Sequence, residues 1–315
     1  MKDFFTVATR PGRLAAVQTQ IVIRALKKVY PHITIKIREI TTAGDKDRRT
    51  ALWSLKTSGF FTSQVEQALL AGRADFAVHS FKDLPTAPRP ELAIAAVCQR
   101  HFAEDCIIAA EPVASLDLLK KSAVTGTSSP RRAALLRNLR KDLQIVPVRG
   151  NVTTRLKLVT DRKIDAVILA RAGLERLGLA HKISFTLDPD RFIPAAAQGA
   201  LVVQTRTGDT DTTAVIAAID DKTIRTTTFA ERQVLITTEC GCHGPVGAFA
   251  QVSGSRINIR AFVSDLQGEN LIVKTITGPA SKALELAEKL AIELLEAGGK
   301  EILDKVKETR KQEPI

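Results

Sequence analysis

Residues 75–85 read DFAVHSFKDLP, a short apolar run that stops at a charged turn. Residues 75–80 have the length and the apolar centre of a buried strand, and Lys82, Asp83 and Pro85 form a polar turn after it. The stretch DAVILA at residues 165–170 repeats the strand pattern. Buried strands of this kind, alternating with segments of helical period, predict an α/β fold.

Helical patterns alternate with further strand patterns in this part of the chain. Phe61, Val65 and Leu69 share one helical stripe, with Thr62 as the expected N-cap and Gly72 at the expected end of that helix. Strands are also predicted at residues 33–40 and 143–148, and a helix at residues 153–159. Residues 124–126 lead into a loop and then a helix, TSSPRRAALLRNLR. This alternation predicts a mostly parallel sheet.

The pattern changes after about residue 220. Three strands with polar, glycine-containing turns are predicted at residues 248–252, 258–263 and 271–276. A long amphipathic helix is predicted at residues 281–297, with Gly298 and Gly299 at its end, and the tail KETRKQEPI is expected to fray. These segments predict a separate α+β domain, an antiparallel meander covered by helices.

Composition indicates a globular protein with an anionic partner. Hydrophobic residues make up 44% of the 315 residues, and no apolar run approaches the roughly 20 residues that span a bilayer. The start MKDFFTVATR lacks the long apolar stretch of an export signal, so no export is expected. Four cysteines fit a reduced, cytoplasmic protein better than a disulfide scaffold. The net charge of +12 suits small polycarboxylates or phosphates. Nucleic acid is the alternative, although aromatic residues are only 4% and no nucleic-acid-binding motif is found.

Ser129, Pro130, Arg131 and Arg132 make an unusual start to a helix. Ser129 suits the N-cap and Pro130 the first helical position, which places two arginines at the positive end of the helix dipole. Cations there cost roughly 0.3–1 kcal/mol each, so a purely structural helix favours acidic residues. We expect the pair to share an anion with the free backbone N–H groups; the alternative is that both side chains lean into solvent.

Further arginines follow predicted strands. Arg149 comes directly after residues 143–148, Arg176 follows DAVILA, and Arg155 lies in the helix between them. Ligands of α/β sheets gather at the carboxyl ends of strands, so these arginines are expected to converge on one cleft with the Arg131–Arg132 pair. For any one of them alone, a surface salt bridge is the simpler interpretation.

Asp83 also follows a buried strand, the position at which α/β proteins present chemistry. A carboxylate among arginines steadies a developing cation or moves protons, and Lys82 beside it suits a ligand carboxylate. The alternative is an Asx-type turn ahead of Pro85.

The stretch TTECGCHGPVG at residues 237–247 places two cysteines beside a histidine. Cys240, Cys242 and His243 are spaced too closely for an ordinary zinc site, and no second ligand pair follows, so we predict no metal. A disulfide between residues i and i+2 would be strained. Gly241 and Gly244 make a flexible loop, on which a thiol is a candidate covalent anchor or nucleophile; a buried, inert cysteine is the alternative.

Seven segments together resemble the hydroxymethylbilane synthase (porphobilinogen deaminase) family, in that family's order. They are ATRPGRLAAVQ (8–18), AVHSFKDLP (77–85), GTSSPRRAALL (126–136), VRGNVTTRL (148–156), ILARAGLERLG (168–178), PAAAQGAL (194–201) and ERQVLITTECGCHGPVGAF (231–249). The resemblance implies three domains: two α/β domains similar to type II periplasmic binding proteins, and a small α+β domain that carries the cysteine loop. The implied bounds are residues 1–100 with 196–218, 101–195, and 219–315.

The resemblance implies an enzyme that deaminates porphobilinogen and joins four units into the linear tetrapyrrole hydroxymethylbilane. Chain growth starts on a dipyrromethane cofactor held by a thioether, and the family pattern Gly-Cys-x-x-Pro places that bond at Cys242. Asp83 matches the catalytic carboxylate, which assists ammonia loss and stabilises an azafulvene cation. The positions that match cofactor- or substrate-binding residues are Arg10, Ser80, Lys82, Thr127, Ser128, Ser129, Arg131, Arg132, Arg149, Gly150, Asn151, Arg155, Arg176 and Gln198. The expected protein is a cytoplasmic monomer with no nucleic-acid or membrane partner.

The chain departs from the family at a few positions. These are Gly12 for a common serine, Ser54 and Ser58 where lysines are common, Ala197 for a glycine, Gln204 for a frequent acidic residue, and Cys240 for a glycine. Because Asp83, the five arginines and Cys242 are intact, we expect an active enzyme. The competing hypotheses are a non-catalytic anion-binding protein on the same scaffold and a nucleic-acid binder.

Overall fold

The computed structural model describes residues 2–42, 62–87, 89–241 and 244–312. These residues form two compact units. Unit one contains the described residues up to His101 together with Gly199–Thr226; unit two contains Phe102–Gln198 together with the described residues from Thr227 onward. The chain therefore passes from one unit to the other after residues 101, 198 and 226.

The described strands and helices follow one another in α/β order up to residue 217 and in α+β order after it. In chain order the strands are β1 (Phe4–Thr9), β2 (Thr34–Glu39), β3 (Phe76–Ser80), β4 (Leu92–Cys98), β5 (Asp105–Ala109), β6 (Val124–Gly126), β7 (Gln144–Val146), β8 (Ala166–Ala170), β9 (Phe185–Thr186), β10 (Leu201–Arg206), β11 (Val246–Ser253), β12 (Arg256–Ser264) and β13 (Leu271–Pro279). The helices are α1 (Arg13–Val29), α2 (Ser63–Leu70), α3 (Pro130–Leu139), α4 (Val152–Thr160), α5 (Arg171–Arg176), α6 (Thr210–Ala217), α7 (Lys222–Thr237), α8 (Ala283–Leu294) and α9 (Lys300–Gln312).

Unit one is built on a five-stranded sheet in the order β2-β1-β3-β10-β4. The strands β1, β2 and β3 are parallel, whereas β10 runs antiparallel to β3 and β4. One face of the sheet buries Phe5, Phe76 and Leu201 against Leu26 of α1. The other face packs on α2, whose buried side chains include Leu69. Helices on both faces explain why the inner strand β3 buries consecutive side chains, whereas the edge strand β2 is polar and mostly exposed.

The end of β3 is fixed from two sides. A single 3-10 turn, Phe81–Asp83, follows the strand directly. Phe81 is fully buried, and its N–H donates to the carbonyl of Ala200 at 3.0 Å. Leu201 at the start of β10 lies opposite Ser80. The backbone that carries Asp83 is therefore anchored by a buried ring and by the neighbouring antiparallel strand.

Unit two repeats this arrangement in its own five-stranded sheet, with the order β7-β6-β8-β5-β9. The strands β6, β7 and β8 are parallel, and β5 runs antiparallel to β8 and β9. In each sheet the antiparallel strand is therefore the fourth in spatial order. The two matching sheets confirm the expected pair of α/β domains. Four of the five strands in each sheet run in the same direction, as predicted, and the single antiparallel strand makes two of the four strand pairs antiparallel.

The C-terminal part of unit two is a three-stranded antiparallel sheet, β11-β12-β13, covered by helices. Its core joins Ala248 and Ile259 of the sheet to Leu290 of α8, Val234 of α7 and Leu303 of α9. This is the predicted α+β part of the fold. Within the described residues, no helix has the length and apolar composition needed to cross a bilayer.

A turn of this sheet touches α3. Asn138 donates from Nδ2 to the carbonyl of Gly268 at 2.8 Å, and Arg137 donates from Nη1 to the carbonyl of Leu266 at 2.5 Å. Gly268 has φ +74, and a Cβ there would collide with the carbonyl of Ala134. The β12–β13 turn thus packs directly against the backbone of the helix that begins with Arg131.

The C-terminal helices differ from the predicted ones. The first ends at Leu294 and is joined to α9 by a turn in which Gly298 has φ +105. Gly298 and Gly299 therefore connect two helices and do not end the helical region. Helix α9 continues to Gln312 and buries Leu303 and Val306, so residues 307–312 of the tail are helical. Residues 313–315 lie outside the described residues, and the fraying of the tail stays a prediction.

Candidate functional site

Arg131 and Arg132 occupy the second and third positions of α3, after the N-cap Ser129 and Pro130. Both side chains are buried, with only 3% and 7% of their surface exposed, so neither leans into solvent. Burying guanidinium groups is costly unless a counter-charge accompanies them. That counter-charge is Asp105, the first residue of β5, which is completely buried.

Asp105 divides its two carboxylate oxygens between the two arginines. Arg131 donates from Nη2 to Oδ2 at 2.6 Å, while Arg132 donates from Nε and Nη2 to Oδ1 at 3.0 and 2.7 Å. Arg131 also donates from Nη1 to the carbonyl of Ile193 at 2.8 Å. Within the chain, the anion shared by the pair is therefore the carboxylate of Asp105.

The cluster of Asp105, Arg131 and Arg132 keeps one excess positive charge. Burial alone would raise the pKa of Asp105, but the charges of Arg131 and Arg132 hold it well below its usual range. Burial lowers the pKa of Arg131, and the attraction of Asp105 opposes that shift. Guanidinium groups stay protonated in proteins, so two positive charges meet one negative charge among the described residues. The dipole of the ten-residue helix α3 adds positive potential at this end, which suits a further carboxylate.

Gln198 holds the same counter-ion. Its Nε2 donates to Oδ1 of Asp105 at 3.0 Å and to the carbonyl of Ala103 at 2.7 Å, and the residue is completely buried. Its Oε1 accepts from Nη2 of Arg132 at 3.4 Å. The structure thus places this predicted binding residue in direct contact with two members of the charged cluster, Asp105 and Arg132.

Thr127, Ser128 and Ser129 form the turn between β6 and α3. The hydroxyl of Ser128 donates to the carbonyl of Val148 at 2.6 Å and accepts from its N–H at 3.0 Å. The hydroxyl of Thr127 accepts from the N–H of Ser129 at 3.2 Å. These bonds tie the turn after β6 to the segment after β7, so the start of α3 is held by side chains that sequence reasoning assigned to ligand binding.

The turn after β7 carries the next group of predicted residues. Gly150 has φ +96, and a Cβ there would lie 2.7 Å from Cγ2 of Thr154, so both conformation and space require glycine. Asn151 caps α4 by accepting from the N–H of Thr154 at 2.9 Å. Arg155 donates from Nε to the carbonyl of Gly150 at 2.9 Å, and it is half-buried, as is Arg149.

The topology brings the predicted arginines of unit two to one edge of its sheet. The parallel strands β6, β7 and β8 end at that edge, and Arg131, Arg149 and Arg176 lie in the segments that follow them. Because β5 is antiparallel to β8 and Asp105 lies opposite Ala170, the start of β5 lies at the same edge. These arginines therefore lie in segments at one edge of the sheet, and the convergence of their side chains on one cleft stays a prediction.

Unit one has its own polar edge. Arg10 follows β1, Ser80 ends β3, and Lys82 and Asp83 lie in the 3-10 turn after it; β1 and β3 are parallel, so all four lie at the same end of the sheet. The side chain of Asp83 is exposed and that of Lys82 is half-buried. Gln18 donates from Nε2 to the hydroxyl of Ser80 at 2.8 Å. Asp83 lies where it was predicted, and its role stays a prediction.

A buried histidine lies beside this edge, and the sequence assigned it no role. His79 is 5% exposed, and burial together with the charge of Arg10 lowers its pKa to about 4. Among the described residues, Nε2 of His79 and Oε1 of Gln204 have no hydrogen-bond partner. His79 is therefore neutral near pH 7. Its sequence signal was a histidine inside the apolar run FAVHS.

The cysteine loop is described only in part, because Cys242 and His243 lie outside the described residues, as do Phe61, Ser54 and Ser58. Cys98 and Cys106 are buried, and burial raises the pKa of Cys106 to about 12. Cys240 is half-buried, and its Sγ occupies the place that a Cβ of Gly244 would take. In the described ranges, no three His, Cys, Asp or Glu side chains are placed to hold a metal ion.

Two family profiles match almost the whole chain. The profile described as porphobilinogen deaminase, dipyromethane cofactor binding domain, matches residues 5–214. The profile described as porphobilinogen deaminase, C-terminal domain, matches residues 225–296. The chain belongs to the porphobilinogen deaminase family. The first profile also identifies dipyrromethane as the cofactor of the domain that contains both α/β sheets.

Individual members of the porphobilinogen deaminase family are similar over nearly their full length. The porphobilinogen deaminase of Roseiflexus castenholzii is 40% identical over 303 residues, which cover 96% of this chain and 99% of that protein. The porphobilinogen deaminase of Desulforudis audaxviator is 40% identical over 307 residues, covering 98% and 99%. Among solved structures, the methionine-binding protein MetQ has a TM-score of 0.44 at 13% identity, over 71% of this chain and 92% of that one. The fold assignment therefore rests on the sheets themselves.

Proposed function

We propose that the chain catalyses the deamination of porphobilinogen and the joining of four units into hydroxymethylbilane. Growth would start on a dipyrromethane attached by a thioether to Cys242. The observation that carries the proposal is the buried cluster of Arg131, Arg132 and Asp105, which keeps an excess positive charge at a helix N-terminus. A protein of the porphobilinogen deaminase family has a specific use for that charge.

The charge fits the substrate class. Each porphobilinogen carries an acetate and a propionate, so every added unit brings two more carboxylates to the protein. Charge-assisted hydrogen bonds from guanidinium forks to carboxylates contribute about 1.5–3 kcal/mol each. A net charge of +12, together with Arg149, Arg155 and Arg176 at the edge that carries the Arg131–Arg132 pair, supports binding of a chain that becomes more anionic as it grows.

The cofactor fits the residues present. A dipyrromethane is itself two substrate units and presents the same carboxylates, for which the Arg131–Arg132 pair is suited. When bound, it supplies the terminal pyrrole carbon to which the first incoming unit is joined. Of the four cysteines, Cys98 and Cys106 are buried, and the raised pKa of Cys106 opposes thiolate formation. Cys242, which the family pattern selects, is the proposed anchor.

Asp83 is the proposed catalytic carboxylate. Loss of ammonia from the aminomethyl group of porphobilinogen leaves a cation that is delocalised onto the pyrrole nitrogen. An exposed carboxylate on a rigid turn is suited to accept the pyrrole N–H and to stabilise that cation. Lys82 and Arg10, at the same edge as Asp83, are the proposed partners of substrate carboxylates.

The remaining proposals concern organisation. The bounds 1–100 with 196–218, 101–195 and 219–315 stay predictions, as do a monomeric state and a cytoplasmic location. Family membership supports an enzyme over the non-catalytic anion-binding alternative. The finer assignment, a transferase that forms hydroxymethylbilane, depends on the following experiment.

Intact mass together with turnover tests the proposed function. The purified wild-type protein is expected to carry an added mass equal to two linked pyrrole units and to convert porphobilinogen into a linear tetrapyrrole. Cys242→Ser should lose the added mass, whereas the matched control Cys240→Ser should keep it. Asp83→Asn should keep the added mass and lose nearly all turnover.

Three results would contradict the proposal. An active wild-type preparation without the added mass would exclude the covalent primer. Normal turnover of Asp83→Asn would remove that carboxylate from the mechanism. Salt-dependent DNA binding by a wild-type protein that makes no tetrapyrrole would favour the nucleic-acid alternative.

A further inference from the structure

Asp105 is the residue that holds the two buried arginines together. It begins β5, an inner strand of the unit-two sheet, with Ala170 of β8 opposite it and its carbonyl accepting from the N–H of Leu187 at 2.9 Å. The backbone below the carboxylate is thus fixed on both sides. A carboxylate on such a fixed strand has little freedom to move, so the orientation of the two guanidinium groups adapts to its position.

The hydrogen bonds assign one oxygen to each arginine. Arg131 uses Oδ2, and Arg132 uses Oδ1 twice, through Nε and Nη2. Consecutive residues of a helix point about 100° apart, so two neighbouring arginines do not by themselves aim at one place. Their convergence is imposed by the carboxylate between them, and a change in its position moves both guanidinium groups at once.

The bonds to Asp105 leave donors for a ligand. Among the described residues, Arg131 uses Nη2 for Asp105 and Nη1 for the carbonyl of Ile193, which is two of its five N–H groups. The charge count leaves the same surplus, two guanidinium groups against one carboxylate. Gln198 fixes the carboxylate from a third direction at 3.0 Å. The cluster is therefore prearranged with both unused donors and unused charge.

We infer that Asp105 is a positioning residue of the reaction: it sets the orientation in which Arg131 and Arg132 receive the carboxylates of the pyrrole chain. This inference rests on the proposed function and adds to it a group that the sequence did not indicate. Asp105 touches neither cofactor nor substrate; it acts through the two arginines. Because Asp105 offsets one of the two positive charges, it also limits how tightly the arginines hold any single carboxylate of the ligand.

The test separates position from charge. Asp105→Glu keeps the negative charge but moves the carboxylate by one methylene, so both arginines must turn away from their present directions. The matched control is Asp142→Asn. Asp142 also accepts a two-pronged contact, from Arg140 at 2.7 and 2.9 Å, but it lies beyond the other end of α3. The Asp142→Asn variant therefore removes an Asp–Arg pair from the same unit and leaves Asp105, Arg131 and Arg132 unchanged.

Folding is measured first, by circular dichroism and urea unfolding, and kinetics follow on the folded fraction. For Asp105→Glu we expect one of two results. Either the fraction of chains that carry the covalent pyrrole adduct, measured by intact mass, falls at least about threefold, or the KM for porphobilinogen rises about tenfold while kcat per adduct-carrying chain changes little. Asp142→Asn should match the wild type in both. A residue that served only folding would lower kcat through loss of active protein and leave KM and adduct fraction of the folded chains unchanged.

A second variant tests whether Asp105 acts through the arginines. Arg131→Lys keeps the charge and loses the fork. If Asp105 works through Arg131, the double variant should have a KM within about threefold of the worse single variant, since coupled residues are not additive. Fully multiplicative effects would overturn the inference.

The remaining outcomes each decide the matter. If Asp105→Glu does not fold, the isosteric Asp105→Asn replaces it with the same expected direction. If neither folds, Asp105 serves folding and the inference is wrong. If Asp105→Glu folds and matches Asp142→Asn while the wild type is active, the inference is also wrong although the proposed function stands. A wild type without adduct and without turnover would instead refute the proposed function itself.

Discussion

Replacing Gly268 by alanine tests how the C-terminal sheet supports helix α3. Gly268 lies in the β12–β13 turn with φ +74, and its carbonyl accepts from Nδ2 of Asn138 at 2.8 Å. A Cβ built at this position would overlap the carbonyl of Ala134 and lie 2.9 Å from the backbone N of Asn138. Since both contacts belong to helix backbone, neither can yield by a side-chain rotation.

The expected cost is the sum of three effects at Gly268. A left-handed conformation costs a non-glycine residue about 1–2 kcal/mol. Forcing an extra carbon into a packed contact costs about 1–3 kcal/mol. Displacement of the turn also weakens the bond from Asn138, which contributes about 1 kcal/mol. Gly268→Ala should therefore lower the free energy of unfolding by about 3–6 kcal/mol.

The matched control is Gly254→Ala, in the β11–β12 turn of the same sheet. Gly254 has φ +58, and no atom of the described residues packs within 4 Å of a Cβ built there, so only the backbone cost of about 1–2 kcal/mol applies. Urea unfolding of both variants gives the comparison, with the difference assigned to contact with α3. Equal losses of stability in the two variants would refute the packing argument.

Two further perturbations are predicted from buried polar groups. His79 changes its pKa from 6.5 to about 4 on folding, so the unfolded chain binds a proton that the folded chain rejects between these values. The free energy of unfolding should therefore fall by up to about 3 kcal/mol as pH drops from 7 to 4. His79→Gln should remove that part of the fall. An identical pH dependence of stability in the wild type and His79→Gln would contradict this prediction. Glu231 is completely buried and accepts from the N–H groups of Ala197 and Ala250 at 2.7 Å each. Glu231→Gln should lower the free energy of unfolding, measured in urea, by about 1.5–3 kcal/mol. The control Glu175→Gln, which loses only an i,i+4 pair with Arg171, should lower it by about 0.5 kcal/mol. Similar losses in the two variants would count against stabilisation by the buried Glu231 hydrogen bonds.

The local elements were predictable where the sequence itself contains their cause. The cap at Ser129, the proline after it and the apolar runs of β3 and β8 are local signals, and each element lies within a few residues of its predicted position. Strand β7 is shorter than predicted, at Gln144–Val146, because Pro147 cannot donate to a sheet ladder.

The antiparallel strands were not predictable from local patterns. Both β5 and β10 join their sheets directly after the chain has passed from one unit to the other, so their direction is set by topology and not by their own residues. The helical tail was missed for a related reason. Leu303 and Val306 are spaced for one helix face, but the two glycines before them suggested an end, and only packing against the C-terminal sheet shows that a second helix forms.

The arginine pair shows where inference from single residues stops. Two arginines in a first helical turn predicted an anion shared with the free backbone N–H groups. The structure shows instead that the two guanidinium groups share a carboxylate of the chain itself. Asp105 is separated from Arg131 by 26 residues, and its only local signal is an acidic residue at the entrance of the buried strand DCIIA. Long-range pairing of this kind requires the sheet order.

The position of β10 has a consequence for how the protein is made. This strand lies between β3 and β4, yet it is the last strand of its sheet to leave the ribosome. Until residue 206 has been synthesised, β4 has no neighbour on its inner side and the N-terminal sheet stays incomplete. All five strands of the second sheet, β5 to β9, are finished by residue 186.

The order of folding during translation should therefore run against the order of the sequence. Domains usually fold from the N-terminus onward as they emerge. Here the middle of the chain can complete its sheet first, while the sheet of the first hundred residues still lacks β10 between β3 and β4. A chain stalled at residue 190 would expose the unpaired edges of β3 and β4, so this stage of synthesis is the one most in need of a chaperone.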